Sequence, residues 1–280
     1  LRKLNRLASA SILAAAAAAG NSAHAQAAAA ASGAASAPTP AAGPGAIDEV
    51  VITAQRIRQT AQTAPLAISV LNSDELVRSE VTRAEDLSRL VPALVATASG
   101  GPNTSFFVRG VGNTTNNSYS DPAISFNYDG VYIGRPNATQ GFFYDLERVE
   151  VLKGPQGTLY GRNSTGGAIN VLPARPQLKD SSAELQLSLG NYGARQLQGW
   201  INRPIGERTA IRVAATVNKR DGYMSDGTSD QDQKALRAQA LFQLTPDLST
   251  RIGADYAHQG GAGSGSFIYG TYALVSPAAG

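Results

Sequence analysis

Few side chains in this 280-residue sequence are suited to covalent or metal chemistry. Cysteine is absent, so thiolate metal sites, disulfides and thiol catalysis are excluded. The two histidines, His24 and His258, stand far apart. No nucleophile with a base, and no pair of carboxylates, falls at a spacing that marks a reaction centre. The glycine-rich stretch 154–167 follows a β-prone segment and invites comparison with a phosphate cradle. It lacks both the Gly-Lys-Ser/Thr ending and the dinucleotide fingerprint, and its glycines read instead as allowing tight turns and positive φ. A net charge of +3 with Lys and Arg scattered along the chain gives no basic stripe for DNA or RNA. The remaining chemistry is recognition.

Two features point to recognition on their own. Asp48-Glu49-Val50-Val51-Ile52-Thr53-Ala54 is rich in β-branched residues, and such a main chain is suited to extending the edge of a partner's sheet through backbone hydrogen bonds. Pairing within its own domain is the plainer alternative. Arg109 falls in a segment that reads as a strand, where an enclosed guanidinium needs a carboxylate to offset desolvation. A half-exposed surface arginine is the plainer reading there.

The elements that must position these residues fall into successive parts. Residues 1–25 read as an export signal: Leu1-Arg2-Lys3-Leu4-Asn5-Arg6, an apolar run, then Ala23-His24-Ala25 before Gln26. That run is about 13 residues, short of the roughly 20 that span a bilayer as a helix. Residues 26–46, almost all Ala, Ser, Gly, Pro and Thr, make a flexible linker, and 47–57 holds the β-branched run. Residues 60–175 read as a compact mixed α/β unit. A strand is predicted over Leu66-Ala67-Ile68-Ser69-Val70-Leu71, then a helix from Ser73, then a capping box Thr82-Arg83-Ala84-Glu85 before Leu87, Leu90 and Val91. Further strands are predicted over 105–111, 124–133, 146–152 and 168–172.

From residue 180 to 280 the pattern becomes alternation of period two in about five segments. Leu185 and Leu187, Ile211 and Val213, Leu236 and Ala238, and Ile252 and Ala254 lie on one face. The opposite face carries Arg212, Arg237, Gln239, Arg251 and Asp255. A soluble sandwich shares the alternation, but charged residues on the second face suit a wet barrel lumen with lipid outside.

With the parts in this order, the sequence resembles the TonB-dependent receptors, and most of all the type that takes up iron complexes. Glu49-Val50-Val51-Ile52-Thr53-Ala54 is similar to a TonB box. Phe107-Val108-Arg109-Gly110 and Asn127-Tyr128-Asp129-Gly130-Val131-Tyr132 resemble central plug strands. The most specific match is Asp145-Leu146-Glu147-Arg148-Val149-Glu150-Val151-Leu152-Lys153-Gly154-Pro155-Gln156-Gly157-Thr158-Leu159-Tyr160-Gly161-Arg162-Asn163-Ser164-Thr165-Gly166-Gly167-Ala168-Ile169-Asn170.

The resemblance implies an α+β plug domain followed by the first strands of a transmembrane antiparallel β-barrel, of the roughly 22-strand type in the intact protein. It implies a place in the outer membrane, surrounded by its lipid, with residues 48–54 engaging TonB and, through it, ExbB and ExbD. Arg109 and Arg148 would pair with barrel glutamates. Gly154, Pro155, Tyr160, Gly161, Gly166 and Gly167 would pack the plug against the wall. Asn103, Ser105, Asn113, Asn117, Tyr119, Arg135 and Asn137 would face the extracellular ligand, a small-molecule metal chelate such as a ferric siderophore. No resident cofactor or protein-bound metal is implied, since iron would arrive wrapped in its chelator. A passive porin or adhesin, a secreted lectin or carbohydrate-active enzyme, and a cobalamin, haem or oligosaccharide receptor are the rival readings.

Overall fold

The computed structural model describes residues 51–52, 59–60, 66–98, 103–114 and 121–263. The export signal, the linker, Asn117 and Tyr119 lie outside the described residues, as does all of the 48–54 run except Val51 and Ile52. β1 (Val51–Ile52) pairs antiparallel with β2 (Gln59–Thr60), Val51 opposite Thr60. Those two residues thus pair within the chain.

β3 (Ile68–Asn72) leads into α1 (Ser73–Arg78). Asn72 caps the helix: its Oδ1 accepts from the Glu75 backbone N–H at 2.8 Å, satisfying a free amide of the first turn. A 3₁₀ helix, Ala84–Arg89, follows. Its capping carboxylate is Asp86, not Glu85, because the helix starts one residue later than the sequence pattern implies. Asp86 Oδ2 accepts from the backbone N–H groups of Thr82 and Arg83, each at 3.0 Å. Glu85 is thereby freed to accept from Thr104 Oγ1 and Gln140 Nε2, each at 2.7 Å.

Two segments that read as single strands are hairpins. β4 (Leu94–Ala98), absent from the sequence expectation, pairs with β5 (Thr104–Val108), which turns at Arg109 and Gly110 into β6 (Val111–Gly112). β7 (Ile124–Tyr128) turns at Asp129 and Gly130 into β8 (Val131–Tyr132). The φ values are 52° and 78° in the first turn and 49° and 82° in the second. Two successive positive φ angles make the tight turn that the twist of paired strands favours, and Asp-Gly is among its preferred sequences.

β9 (Leu146–Lys153) and β10 (Gly167–Pro173) complete a sheet of order β3-β9-β10-β7-β8, with β10 parallel to β7. β10 is buried at every position, as a central strand covered on both faces must be. Leu71, Leu87, Phe106, Ile124, Val149 and Val151 pack into the same core as Ile169 and Val171. Gly166, just before β10, is held to glycine by space: a Cβ there would stand 2.7 Å from Ile124 Cδ1 and 2.8 Å from Val111 Cγ1.

The remaining described strands form an antiparallel meander: β11 (Ser182–Leu189), β12 (Arg195–Ile205), β13 (Thr209–Arg220), β14 (Gln231–Gln243) and β15 (Ser249–Gly260). Ala183, Ile201, Val213, Ala238 and Ala254 are successive Cα partners, so one apolar row crosses the whole sheet. This row lies on the outer face, where Leu185 is 76% exposed and Leu187, Leu189 and Ile252 are exposed with it. The polar residues are the buried ones: Asn202, Arg212, Thr216, Gln233, Arg237 and Gln239. Apolar outside and polar inside is the pattern of an outer-membrane barrel. Connections 206–208 and 244–248 lie at one end of this wall, 190–194 and the long 221–230 at the other.

Candidate functional site

The α+β unit sits against the inner face of the wall, and the seam between them is ionic. Asp145 stands at its centre. The residue has φ 47°, a left-handed conformation in which Asp and Asn are over-represented among non-glycine residues. There its carbonyl accepts from the Ala174 N–H at 3.0 Å and from Arg237 Nη1 at 3.1 Å. Its carboxylate, almost fully buried, takes a forked pair of hydrogen bonds from Arg212: Nε to Oδ2 at 2.9 Å and Nη2 to Oδ1 at 2.5 Å. The Arg212 guanidinium lies 3.8 Å from the centroid of the Trp200 ring, so charge pairing and ring stacking fix the same plane.

Arg237, 1% exposed, is the second anchor. Its Nε donates to Asp255 Oδ1 at 2.6 Å and its Nη1 to the carbonyls of Tyr144 and Asp145, each at 3.1 Å. Its Nη2 is buried without an acceptor, but the guanidinium carbon lies 4.4 Å from the Tyr144 ring centroid and 5.2 Å from that of Tyr128. The ring faces offset part of that lost hydrogen bonding. Tyr128 Oη in turn donates to Asp255 at 3.0 Å. Burial raises the Tyr144 phenol to about 12, with Arg237 opposing the shift, and raises Tyr128 further for the same reason.

The seam continues in both directions along the strands. Towards the short turns, Gln239 Nε2 donates to the Ala174 carbonyl at 2.9 Å, and Arg251 Nη2 donates to both Asp129 oxygens, at 2.7 and 2.5 Å. Towards the long connection, Gln233 Nε2 donates to the Gln140 carbonyl at 2.9 Å. That contact places the 3₁₀ helix Pro136–Gly141, with Arg135 at its N-cap, at the end of the wall that carries loop 221–230. Asn137 and Arg135 are exposed there. Asn137, Tyr144, Gln233 and His258 line a cavity of about 320 Å³.

Several expected site residues have other surroundings. Arg109 occupies a turn, is exposed, and makes no ion pair among the described residues. Arg148 is held inside the α+β unit, pairing with Glu147 and donating from Nε to Glu150 Oε1 at 2.8 Å. The ion pairs that cross the described seam run from wall arginines to plug carboxylates, Arg212 to Asp145 and Arg251 to Asp129. Ser105 lies on β5 and is buried, so it does not face a ligand. Asn113 bridges Asp121 and Ala123 through its side chain, closing its own loop. Asn103 is half-buried next to β5.

In the glycine-rich loop, Gly154 and Gly161 have φ 117° and 75°, and Gly161 and Pro155 are exposed. Tyr160 Oη accepts from Asn170 Nδ2 at 2.6 Å, and Gly166 and Gly167 are buried beside β7 and β9. These contacts lie within the plug and not against the five strands. Asp145, Tyr144, Asp129, Arg212, Arg237 and Arg251 make the seam instead. Among the described residues no three His, Asp or Glu stand close enough to hold a metal ion.

An α+β unit held by ionic contacts against the polar face of an outward-apolar strand wall is the arrangement of the first strands of a plugged outer-membrane barrel. The family model "TonB-dependent Receptor Plug Domain" matches residues 60–168. The chain is 26% identical over 226 residues to the iron-regulated outer membrane virulence protein of Vibrio cholerae, covering 76% of this chain and 34% of that protein. It is 27% identical over 205 residues to the vitamin B12 transporter BtuB of Vibrio vulnificus, covering 70% and 32%. Among solved structures, the pyoverdine receptor FpvA of Pseudomonas aeruginosa bound to pyoverdine superimposes with TM-score 0.66 at 22% identity, covering 78% of this chain and 31% of that one. The ferric yersiniabactin uptake receptor FyuA of Yersinia pestis gives 0.59 at 24%, covering 69% and 31%. Residues 60–168 thus match the plug domain of the TonB-dependent receptors, and the chain spans about a third of the length of the curated relatives it matches, which are named as an outer membrane protein and a vitamin B12 transporter.

Proposed function

We propose that the whole receptor imports a scarce chelated nutrient, in first place a ferric siderophore, and that TonB, driven through ExbB and ExbD, supplies the work by pulling on residues 48–54. The observation that carries this reading is a plug seated against the inner wall by named ion pairs, in a chain whose structural neighbours are named as a ferric yersiniabactin uptake receptor and a pyoverdine receptor. Nanomolar capture is worth about 12 kcal/mol, so unaided release would be slow. A proton crossing about 150 mV contributes roughly 3.5 kcal/mol, so a few protons cover the work.

The β1–β2 ladder bears on how TonB would engage. Only two residues on each strand are paired, and hydrogen bonds of this kind contribute roughly 1 kcal/mol each. A partner strand could displace β2 at little cost. No catalytic step is part of this reading.

Deleting residues 48–54 from the full-length receptor and measuring uptake of radioactive iron as its siderophore complex tests the proposal. Loss of uptake with binding retained supports it; unchanged uptake would show a passive pore. The similarity to BtuB favours cobalamin as a second cargo, and labelled cobalamin in the same cells decides between the two.

A further inference from the structure

We propose that a cavity between α1 and the inner face of β11 and β12 is an inner binding station for one arm of the cargo, an uncharged arm rich in amide or hydroxyl groups. The station rests on the import reading above.

Strand register lays out the wall side of this cavity. Gln186 and Gln198 are Cα partners, as are Ser188 and Gln196, and Glu184 and Trp200. These residues alternate with the outward Leu185, Leu187 and Leu197, so they lie on the inner face. From the plug, Leu76, Val77 and Glu80 face them across a space of about 280 Å³. Among the described residues no hydrogen bond or ion pair joins α1 to these two strands.

The amides set this stretch apart from the rest of the wall. Elsewhere on the inner face Asn202, Gln233 and Gln239 donate to the carbonyls of Gln177, Gln140 and Ala174. Gln186, Gln196 and Gln198 are half-buried and make no side-chain hydrogen bond among the described residues. Each offers two donor hydrogens and an acceptor oxygen. Leu76, Val77, Phe143 and Trp200 supply apolar surface beside them. An apolar lining with a few convergent polar groups is the usual make-up of a small-molecule site, and these groups complement a guest that both donates and accepts.

Charge and size narrow the class. Arg212 is the one cation among the lining residues, and Asp145 already holds it. Glu80 and Glu184 line the same space without an ion pair among the described residues. An anionic guest would meet like charge and find no free cation. The volume is at the small end of ligand pockets, so the cavity takes one arm of a chelate and not the whole. Access lies at the long-connection end, where a smaller space of about 130 Å³, lined by Gly190, shares Glu80 and Gln196 with the first.

The test uses the full-length receptor carrying Ser182→Cys, a near-isosteric change in the cavity lining. Neutral methyl methanethiosulfonate labels the thiol, and mass spectrometry of the peptide holding residue 182 gives the rate. A guest at about ten times its half-saturating concentration leaves its site free about a tenth of the time, so labelling should slow about tenfold. Ferrichrome, a neutral ferric trihydroxamate, should give that protection, and ferric enterobactin, a trianionic tris-catecholate, should give none. Adding Gln186→Leu and Gln198→Leu should abolish the protection. No protection by ferrichrome or by maltose, equal protection by the tris-catecholate, or unchanged protection in the leucine variant would each overturn the station. The comparison of probes decides even if the leucine variant fails to assemble. Protection by maltose alone would keep the station and overturn the siderophore reading. Protection without uptake of any probe in cells that hold TonB would overturn the import reading and leave the binding standing.

Discussion

Arg212 and Asp145, separated by 67 residues, close on each other through a fork of hydrogen bonds while Trp200 covers the guanidinium face. Removing one member of a buried pair leaves the other charge unpaired, which typically costs about 3–5 kcal/mol. Asp145→Asn keeps the left-handed backbone acceptable but removes the charge. It should loosen the plug by that amount, read as faster protease cleavage within residues 60–168 of the full-length receptor. Arg212→Lys should rescue little, since it loses both the fork and the stack.

Arg237 and Arg251 should differ sharply. Arg237 is enclosed by two tyrosines and two carbonyls, whereas the Arg251–Asp129 pair is partly exposed on both sides. Arg237→Met is expected to cost about 3–5 kcal/mol. Asp129→Asn should cost below about 1 kcal/mol, and that cost should shrink in high salt. Denaturant unfolding of the detergent-solubilised receptor at two ionic strengths separates them.

The tyrosines give the seam an alkaline limit. Tyr144 is raised from 10.0 to about 12 by burial. A raised folded-state value means that its contribution to stability is whole below about pH 10, falls as pH rises, and is lost through about pH 12. Tyr128 shifts the same way and adds to the loss. Plug release, followed by Trp200 fluorescence, should set in above pH 10, and Tyr144→Phe should move its onset to higher pH.

A charge at the middle of the lipid face should behave differently from one at its border. Val213, outward at the middle of β13, faces Ile201 and Ala238 in the apolar row. Val213→Lys should cost about 2–4 kcal/mol near the bilayer midplane and lower the amount recovered folded in the outer membrane. Lys219→Gln on the same strand should change recovery little.

The wall was largely legible in the sequence because its signal is local. Leu185 and Leu187, or Ile211 and Val213, alternate with polar neighbours whatever lies across the sheet, and the polar face already pointed to Arg212, Arg237 and Arg251. Their partners were not legible. Asp145 opens a quoted motif, yet nothing near it in sequence shows that its carboxylate is buried against a strand 67 residues on. Arg109 was misplaced for a local reason: Phe107-Val108-Arg109-Gly110-Val111 reads as one β-prone run, and only the positive φ at Arg109 and Gly110 breaks it. Asp129-Gly130 was the readable version of the same turn.

Much of the grip that the wall exerts falls on main-chain atoms: Gln233, Arg237 and Gln239 donate to the carbonyls of Gln140, Tyr144, Asp145 and Ala174. A carbonyl offers the same acceptor whatever side chain it carries. The wall therefore tolerates drift at these four positions so long as the backbone path is kept, and Asp145 is constrained mainly by its own carboxylate. Grafting a plug from another receptor into this barrel should succeed when it supplies an aspartate there and the same fold of chain around it, however different its surface.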